Sequence, residues 1–110
     1  IDYGYFKSKN YSTLQAIQNH KYSHVLEGIG KKDISSHVNF GDLLDIAKKN
    51  KLNVDEYCSQ NEFLVKYGIL ERGKELSKFN NELEIENELE RLIGKKQMGD
   101  LFKCIVVSNL

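Results

Sequence analysis

Ile1-Asp2-Tyr3-Gly4-Tyr5 opens the chain, with no Met before it. An apolar residue, an acid and then a flexible glycine read as the last residues of a buried strand leaving a sheet. In open α/β sheets the carboxyl end of a strand is where ligands sit. The opening therefore predicts a chain that enters mid-domain, at the edge of an active site whose other half lies elsewhere. It reads as the C-terminal piece of a larger enzyme. Asp2, at the strand's carboxyl end, is the leading catalytic candidate, and Tyr3 and Gly4 would shape the same rim. A carboxylate bonded to a neighbouring loop's backbone would occupy the same position.

Outward from this strand, Phe6 to Ser12 is a polar loop. Ser12-Thr13-Leu14-Gln15 fits a capping box, predicting a short helix through His20; Thr13 to Ile17 fits a short strand equally well. Gly28 and Gly30, followed by two lysines, mark a loop. Phe40, Leu43, Leu44 and Ala47 share one face at helical spacing, which predicts an amphipathic helix ending near Asn50. A short strand is expected over Leu52 to Tyr57. Ser59 with Glu62 makes a second capping box and opens a helix through Phe63, Leu64 and Tyr67, stopped by Gly68. Leu70 to Phe79 is helical again, weakened by Gly73. From Asn81 to Ile93, glutamates alternate with apolar residues, a strand signal. Yet Ile85, Leu89, Leu92 and Ile93 fit one helical face, and Asn87 would interrupt a strand's inner face. The reading is a helix, ended by Gly94. Met98-Gly99 fixes a turn. Leu101 to Val107, rich in β-branched residues, suits a buried strand. Phe40, Leu43, Leu44, Phe63 and Leu64 are core.

The chain has 110 residues, with 16 Lys+Arg balancing 16 Asp+Glu. One domain of this length buries roughly two-thirds of its unfolded surface, so folding alone has little margin. The zero net charge argues against nucleic acid as a partner, which would need a basic excess. No apolar run is long enough to span a bilayer, so no membrane role is expected. Cys58 and Cys104 lie far apart in sequence without metal spacing, and Cys104 reads as a small core residue. The cytoplasm is the expected compartment.

Several short motifs fail on inspection. Gly68-Ile69-Leu70-Glu71-Arg72-Gly73-Lys74 has P-loop spacing, but Glu75 stands where Ser or Thr should bind magnesium. A turn between two helices explains it. Gly28-Ile29-Gly30 begins a dinucleotide fingerprint whose third glycine is replaced by Asp33. His20 and His24 would share a helical face and could hold zinc, but the remaining ligands of a tetrahedral site are missing. No metal is expected. Ser35 and Ser36 lie near His37 without a nucleophile elbow around them.

Taken in order, Ile1-Asp2-Tyr3-Gly4, Thr13-Leu14-Gln15-Ala16 with His20, and Gly30-Lys31-Lys32-Asp33-Ile34-Ser35-Ser36-His37-Val38-Asn39-Phe40 resemble the MidA family. Ser59-Gln60-Asn61-Glu62-Phe63-Leu64, Gly68-Ile69 with Arg72, Arg91-Leu92, and Met98-Gly99 with Phe102-Lys103 continue the resemblance. The family comprises class I S-adenosylmethionine-dependent methyltransferases related to a mitochondrial complex I assembly factor. Asn39 stands where the family usually has Asp, and Ile29 where Pro often precedes Gly30. The family's glycine-rich cofactor loop and ribose-binding acid belong upstream of Ile1 and have no counterpart in this chain.

The resemblance implies the C-terminal portion of an α/β, doubly wound methyltransferase sheet with flanking helices, spanning residues 1–110. It implies S-adenosylmethionine as cofactor, with its binding residues unknown in this chain, and a protein arginine as methyl acceptor. Asp2 and His20 would be catalytic; Tyr3, Gly4, Asp33, His37 and Gln60 would bind substrate. His20, Asp33, His37 and Gln60 could each instead be a polar tie holding the long loop. Methyl transfer needs alignment of nucleophile, methyl carbon and sulfur and the exclusion of water. The expected partners are a protein substrate and either the missing N-terminal half or a second copy. Two other classes compete: a non-catalytic interaction module from a truncated reading frame, and a small metal-dependent hydrolase using His20, His24 and Asp33.

Overall fold

A computed structural model describes residues 1–109. The opening pentapeptide does form a strand, β1 (Asp2–Tyr5). It lies inside a four-stranded sheet with β5 (Val38–Asn39), β6 (Asn53–Ser59) and β7 (Phe102–Ser108), in the order β5-β1-β7-β6. β1 pairs in parallel with β5, while β1–β7 and β6–β7 are antiparallel. The expected strands near Leu52 to Tyr57 and over Leu101 to Val107 therefore share one sheet with the opening strand. α1 (Phe40–Lys49) packs against it, contacting β1, β6 and β7. The architecture is mixed α/β with flanking helices, as expected.

α1 starts where Asn39 accepts the Asp42 N–H through Oδ1 at 3.3 Å. This is ordinary N-cap chemistry, which Asn supplies as well as Asp. Phe40 and Ala47 turn inward and are buried. Leu43 and Leu44, expected in the core, are exposed and half-buried respectively. α2 (Gln60–Lys66) opens on the capping box read from sequence: the Glu62 N–H donates to Ser59 Oγ, and Glu62 Oε2 accepts the Ser59 N–H at 2.8 Å. Phe63 and Leu64 lie on this helix half-buried rather than in a sealed core. Gly68, at φ +89°, then turns the chain into α3 (Ile69–Ser77).

α4 (Glu82–Ile93) settles the conflict over the alternating glutamates in favour of helix, capped by Asn81 accepting the Leu83 N–H at 3.0 Å. Gly94 ends it in extended rather than left-handed backbone. Gly73, which weakens α3 by propensity, is where α4 closes on it. A Cβ there would meet Leu89 Cδ1 at 2.6 Å. Met98-Gly99 begins a one-turn helix, α5 (Met98–Leu101), that leads into β7.

Of the two readings near residues 12–20, the short strand rather than the helix is what forms. β2 (Gln15–Gln18) pairs with β3 (Lys21–Ser23) and β4 (Asp33–Ser35) in a separate antiparallel sheet. Gln18 and Lys21 are register partners, so Asn19-His20 is a two-residue hairpin turn. Both residues sit at positive φ, 51° and 61°. That is the pattern of a type I′ turn, which matches the natural twist of a hairpin. Ser12 misled because its Oγ accepts the Leu14 N–H at 3.2 Å in a local turn rather than capping a helix.

The molecule is broad and thin, about 50 × 43 × 22 Å, with a Cα radius of gyration of 17.6 Å. A compact chain of 100 residues has roughly 13 Å. Among the described residues only Ala16, Phe40, Ala47 and Cys104 are buried hydrophobics. Large apolar side chains such as Phe79, Ile29 and Tyr22 stand in solvent.

Candidate functional site

Side chains alternate across β1, so Asp2 and Gly4 share one face and Tyr3 and Tyr5 the other. On the first face Lys103 stands opposite Asp2 in the β1–β7 register. Its ammonium donates to the Asp100 carbonyl and lies 5.4 Å from the Phe6 ring centroid. Phe6 packs on Tyr57 at 4.7 Å and edge-on to Phe40 at 6.4 Å. A cleft of about 480 Å³ opens here, lined by Phe6, Ser59, Asn61, Glu62, Lys95 and Lys103 among others. It lies past the carboxyl ends of β1 and β6, beside the first turn of α2. That is the sheet edge where α/β folds place ligands.

On the second face Tyr3 meets His37 edge-on, with centroids 4.3 Å apart, and Phe102 at 5.7 Å. The His37 backbone N–H donates to Thr13 Oγ1 at 3.0 Å, which ties the long loop to this cluster. Burial first, and Lys9 second, hold the His37 imidazole below its ordinary pKa of 6.5. At neutral pH the ring is therefore uncharged and can take up a proton. The Lys9 ammonium lies 5.1 Å from the Tyr5 centroid and 5.4 Å from that of Tyr11.

The structure thus joins Tyr3 and His37 but separates the other candidates. Asp2 is the first residue of β1, not its carboxyl end, because the strand continues through Gly4 to Tyr5. Its Oδ1 accepts the Tyr3 N–H at 2.7 Å. Gly4 is a packing residue: a Cβ there would meet the Val38 carbonyl oxygen at 2.3 Å and the Phe40 ring at 2.9 Å. His20 is exposed at the β2–β3 turn, and Asp33 is exposed on β4 opposite Ile17. Gln60, only 6 % exposed, donates through Nε2 to the Leu92 carbonyl at 2.8 Å. Asn61 does the same for the Ile93 carbonyl. These two amides satisfy the last carbonyls of α4, which a helix end leaves without partners. Phe6, Phe102, Lys103 and Lys9, absent from the sequence-derived candidates, border the two faces. Only the β1–β7 register brings the middle pair there.

Two measurements check these placements. An NMR titration of His37 is expected to give a midpoint below 6.5, moving upward in Lys9→Gln. The unfolded chain takes its proton first, so His37 weakens folding as pH falls through 6.5 toward the lower folded value. A midpoint at or above the ordinary value would contradict the burial. Gln60→Ala is expected to cost about 1–3 kcal/mol in urea unfolding, by removing a part-buried hydrogen bond to the end of α4. An unchanged midpoint would return Gln60 to the list of ligand-binding candidates.

The glycine patterns build no cofactor cradle. Gly28 and Gly30, at φ +57° and +83°, lie in the turn region between β3 and β4, and no helix follows them. Gly68 joins two helices. Neither sets backbone N–H groups at the start of a helix after a strand, where an anionic or nucleotide group would bind. The described residues therefore do not by themselves fit S-adenosylmethionine. His20 and His24 flank β3 instead of sharing a helical face. Among the described residues, no three His, Cys, Asp or Glu side chains converge as metal ligands.

Comparison with known proteins bears on this framework. A family model described as a putative S-adenosyl-L-methionine-dependent methyltransferase matches residues 1–58. The mitochondrial protein arginine methyltransferase NDUFAF7 homolog of Caenorhabditis elegans is 34% identical over 76 residues, 69% of this chain and 18% of its own length. An uncharacterized Burkholderia thailandensis protein superposes with a TM-score of 0.85 at 27% identity, over 98% of this chain and 31% of that one. A likely methyl transfer enzyme of the same organism, solved with bound S-adenosyl-homocysteine, gives 0.82 at 27% identity, over 98% and 30%. The chain spans about a fifth of the curated relative and under a third of the solved structures. By the match over β1 to β6 and the shared fold, the chain belongs to the family of putative S-adenosyl-L-methionine-dependent methyltransferases.

Proposed function

We propose that this chain is the C-terminal part of an S-adenosylmethionine-dependent methyltransferase domain and forms the methyl-acceptor side of its active site. The carrying observation is the superposition of 98% of the chain on a structure bound to S-adenosyl-homocysteine. The thin shape and the small core support a chain whose remaining faces are covered by more of the same domain. Tyr3 and His37 on one face, and Asp2 with the Phe6–Lys103 cleft on the other, are the residues offered to the acceptor.

The proposed acceptor is a protein arginine, as in respiratory complex I assembly; support for arginine comes from the Caenorhabditis relative, which is named a protein arginine methyltransferase. A guanidinium must lose a proton as it accepts the methyl group. Asp2 on one face of β1 and the neutral His37 on the other are the alternative groups to orient it or take that proton. Among the described residues no helix is long and apolar enough to cross a membrane. Both cysteines are free, which suits a reducing compartment such as the cytoplasm.

The test is methyl transfer from labelled S-adenosylmethionine to protein by the full-length enzyme that carries this chain. One of Asp2→Asn and His37→Gln, the one that removes the proton acceptor, is expected to lower kcat by about 10²-fold or more, and the other to leave it near the wild-type rate. Wild-type rates in both variants would remove these residues from the acceptor site. Label on lysine or carboxylate instead of arginine would overturn the acceptor assignment alone.

A further inference from the structure

Cys58 and Cys104 are far apart in the chain but are direct register partners across β6 and β7. Opposed residues in an antiparallel pair have Cα atoms about 4.5 or 5.5 Å apart, according to the type of pair. Both values fall inside the range a disulfide spans. Register partners point to the same side of a sheet, so the two thiols face each other.

We propose that Cys58 and Cys104 are a modification site: a reversible intrachain disulfide that locks β6 to β7 beneath the Tyr3–His37 cluster. The lock reaches that cluster through a short path. Cys104 lies two residues beyond Phe102, on the same face of β7, and Phe102 is the register partner of Tyr3. Cys58 directly precedes Ser59, the N-cap of α2. A metal is the other ligand a thiol pair takes, but no third metal-binding side chain converges on it among the described residues.

The chemistry needs an oxidant, and a small-molecule disulfide such as glutathione disulfide supplies it. Cys58 is half-buried and Cys104 is 1 % exposed, so Cys58 reacts first. Its thiolate attacks one sulfur of the oxidant and expels a thiolate, leaving a mixed disulfide. The Cys104 thiolate then attacks the Cys58 sulfur and expels the second thiolate. Two protein thiols are oxidised, one oxidant disulfide is reduced to two thiols, and the protons pass to the leaving thiolates. The second step occurs inside the sheet and needs no solvent access at Cys104. Burial pushes both thiols up from their ordinary pKa. The first attack is correspondingly slow, while the balance between the two forms is set by the pair's reduction potential against the buffer.

Equilibrating the folded full-length protein in glutathione buffers of graded ratio, then alkylating, digesting and weighing the peptides, tests this. The expected product is a linked pair of peptides carrying Cys58 and Cys104, lighter by two hydrogens and restored by dithiothreitol. Its yield should not depend on protein concentration, and its melting temperature should rise by roughly 10 °C. Cys104→Ser should trap the mixed disulfide at Cys58. Two alkylated thiols in fully oxidised glutathione, a stable mixed disulfide in the wild type, or a link that forms only in urea would each overturn the proposal.

Discussion

Phe40→Ala is expected to unfold the protein or bring it to the edge of unfolding. Phe40 is 2 % exposed and among the largest fully buried side chains described. Its ring lies beneath Gly4 of β1 and edge-on to Phe6, at the first residue of α1. Removing a buried phenylalanine costs about 3–5 kcal/mol through lost burial and the cavity left behind. Few other buried apolar residues are available to compensate, and a whole domain has only about 5–15 kcal/mol of stability. Urea unfolding followed by circular dichroism should show the loss. Leu43→Ala, at an exposed position of the same helix, should cost under about 1 kcal/mol. Equal effects at the two sites would mean that α1 does not seat on the sheet through Phe40.

The second large effect is expected at Gly4. The Val38 oxygen that a Cβ would strike at 2.3 Å is backbone, so it cannot rotate aside. The Phe40 ring blocks the same space at 2.9 Å. Gly4→Ala therefore forces β5 away from β1, at a cost of about 3 kcal/mol, the upper range for overpacking. The damage should be directional. β5 carries Asn39, the cap of α1, and follows His37, which packs on Tyr3. Hydrogen exchange should quicken at the β1–β5 register and the first turn of α1, while β6–β7 keeps its protection. Uniform loss across all strands would show a general rather than a local defect. If Gly4 instead served a ligand, alanine would spare stability and reduce only activity.

How far the sequence could be read follows from where each signal came from. α1 to α4 were visible because each carries local information: an apolar stripe, a capping residue, a stopping glycine. β7 was visible as a run rich in β-branched residues, and β6 by Leu52, Val54 and Tyr57 set among polar residues. Of the sheet β3-β2-β4 only β2 was legible, as an alternative to a helix, because its strands are three or four residues long and largely exposed, leaving little hydrophobic pattern. Its signal lay in Asn19-His20, residue types that tolerate positive φ. The candidate site was less legible still. Asp2 looked like a strand end because Gly4 looked like a hinge, whereas Gly4 is flat packing against β5. Gln60 matched a site position and is a helix tie. The contacts Tyr3–His37 and Tyr3–Phe102, and the pairing of Cys58 with Cys104, depend on long-range register, which no local window contains.

The resemblance pointed to the family that the match over residues 1–58 and the superposed folds bear out. The glycines at 28, 30 and 68 serve turns, and the proposed function leaves the cofactor mainly to residues outside this chain.

Calorimetric titration of S-adenosylmethionine, run in parallel on the 110-residue chain and on the full-length protein that carries it, tests this account most directly. Micromolar, saturable binding is expected for the longer protein and little or none for the shorter one, which should also associate through its uncovered apolar faces. Micromolar binding by the short chain as a monomer would contradict it, by placing the cofactor site within residues assigned here to the acceptor side.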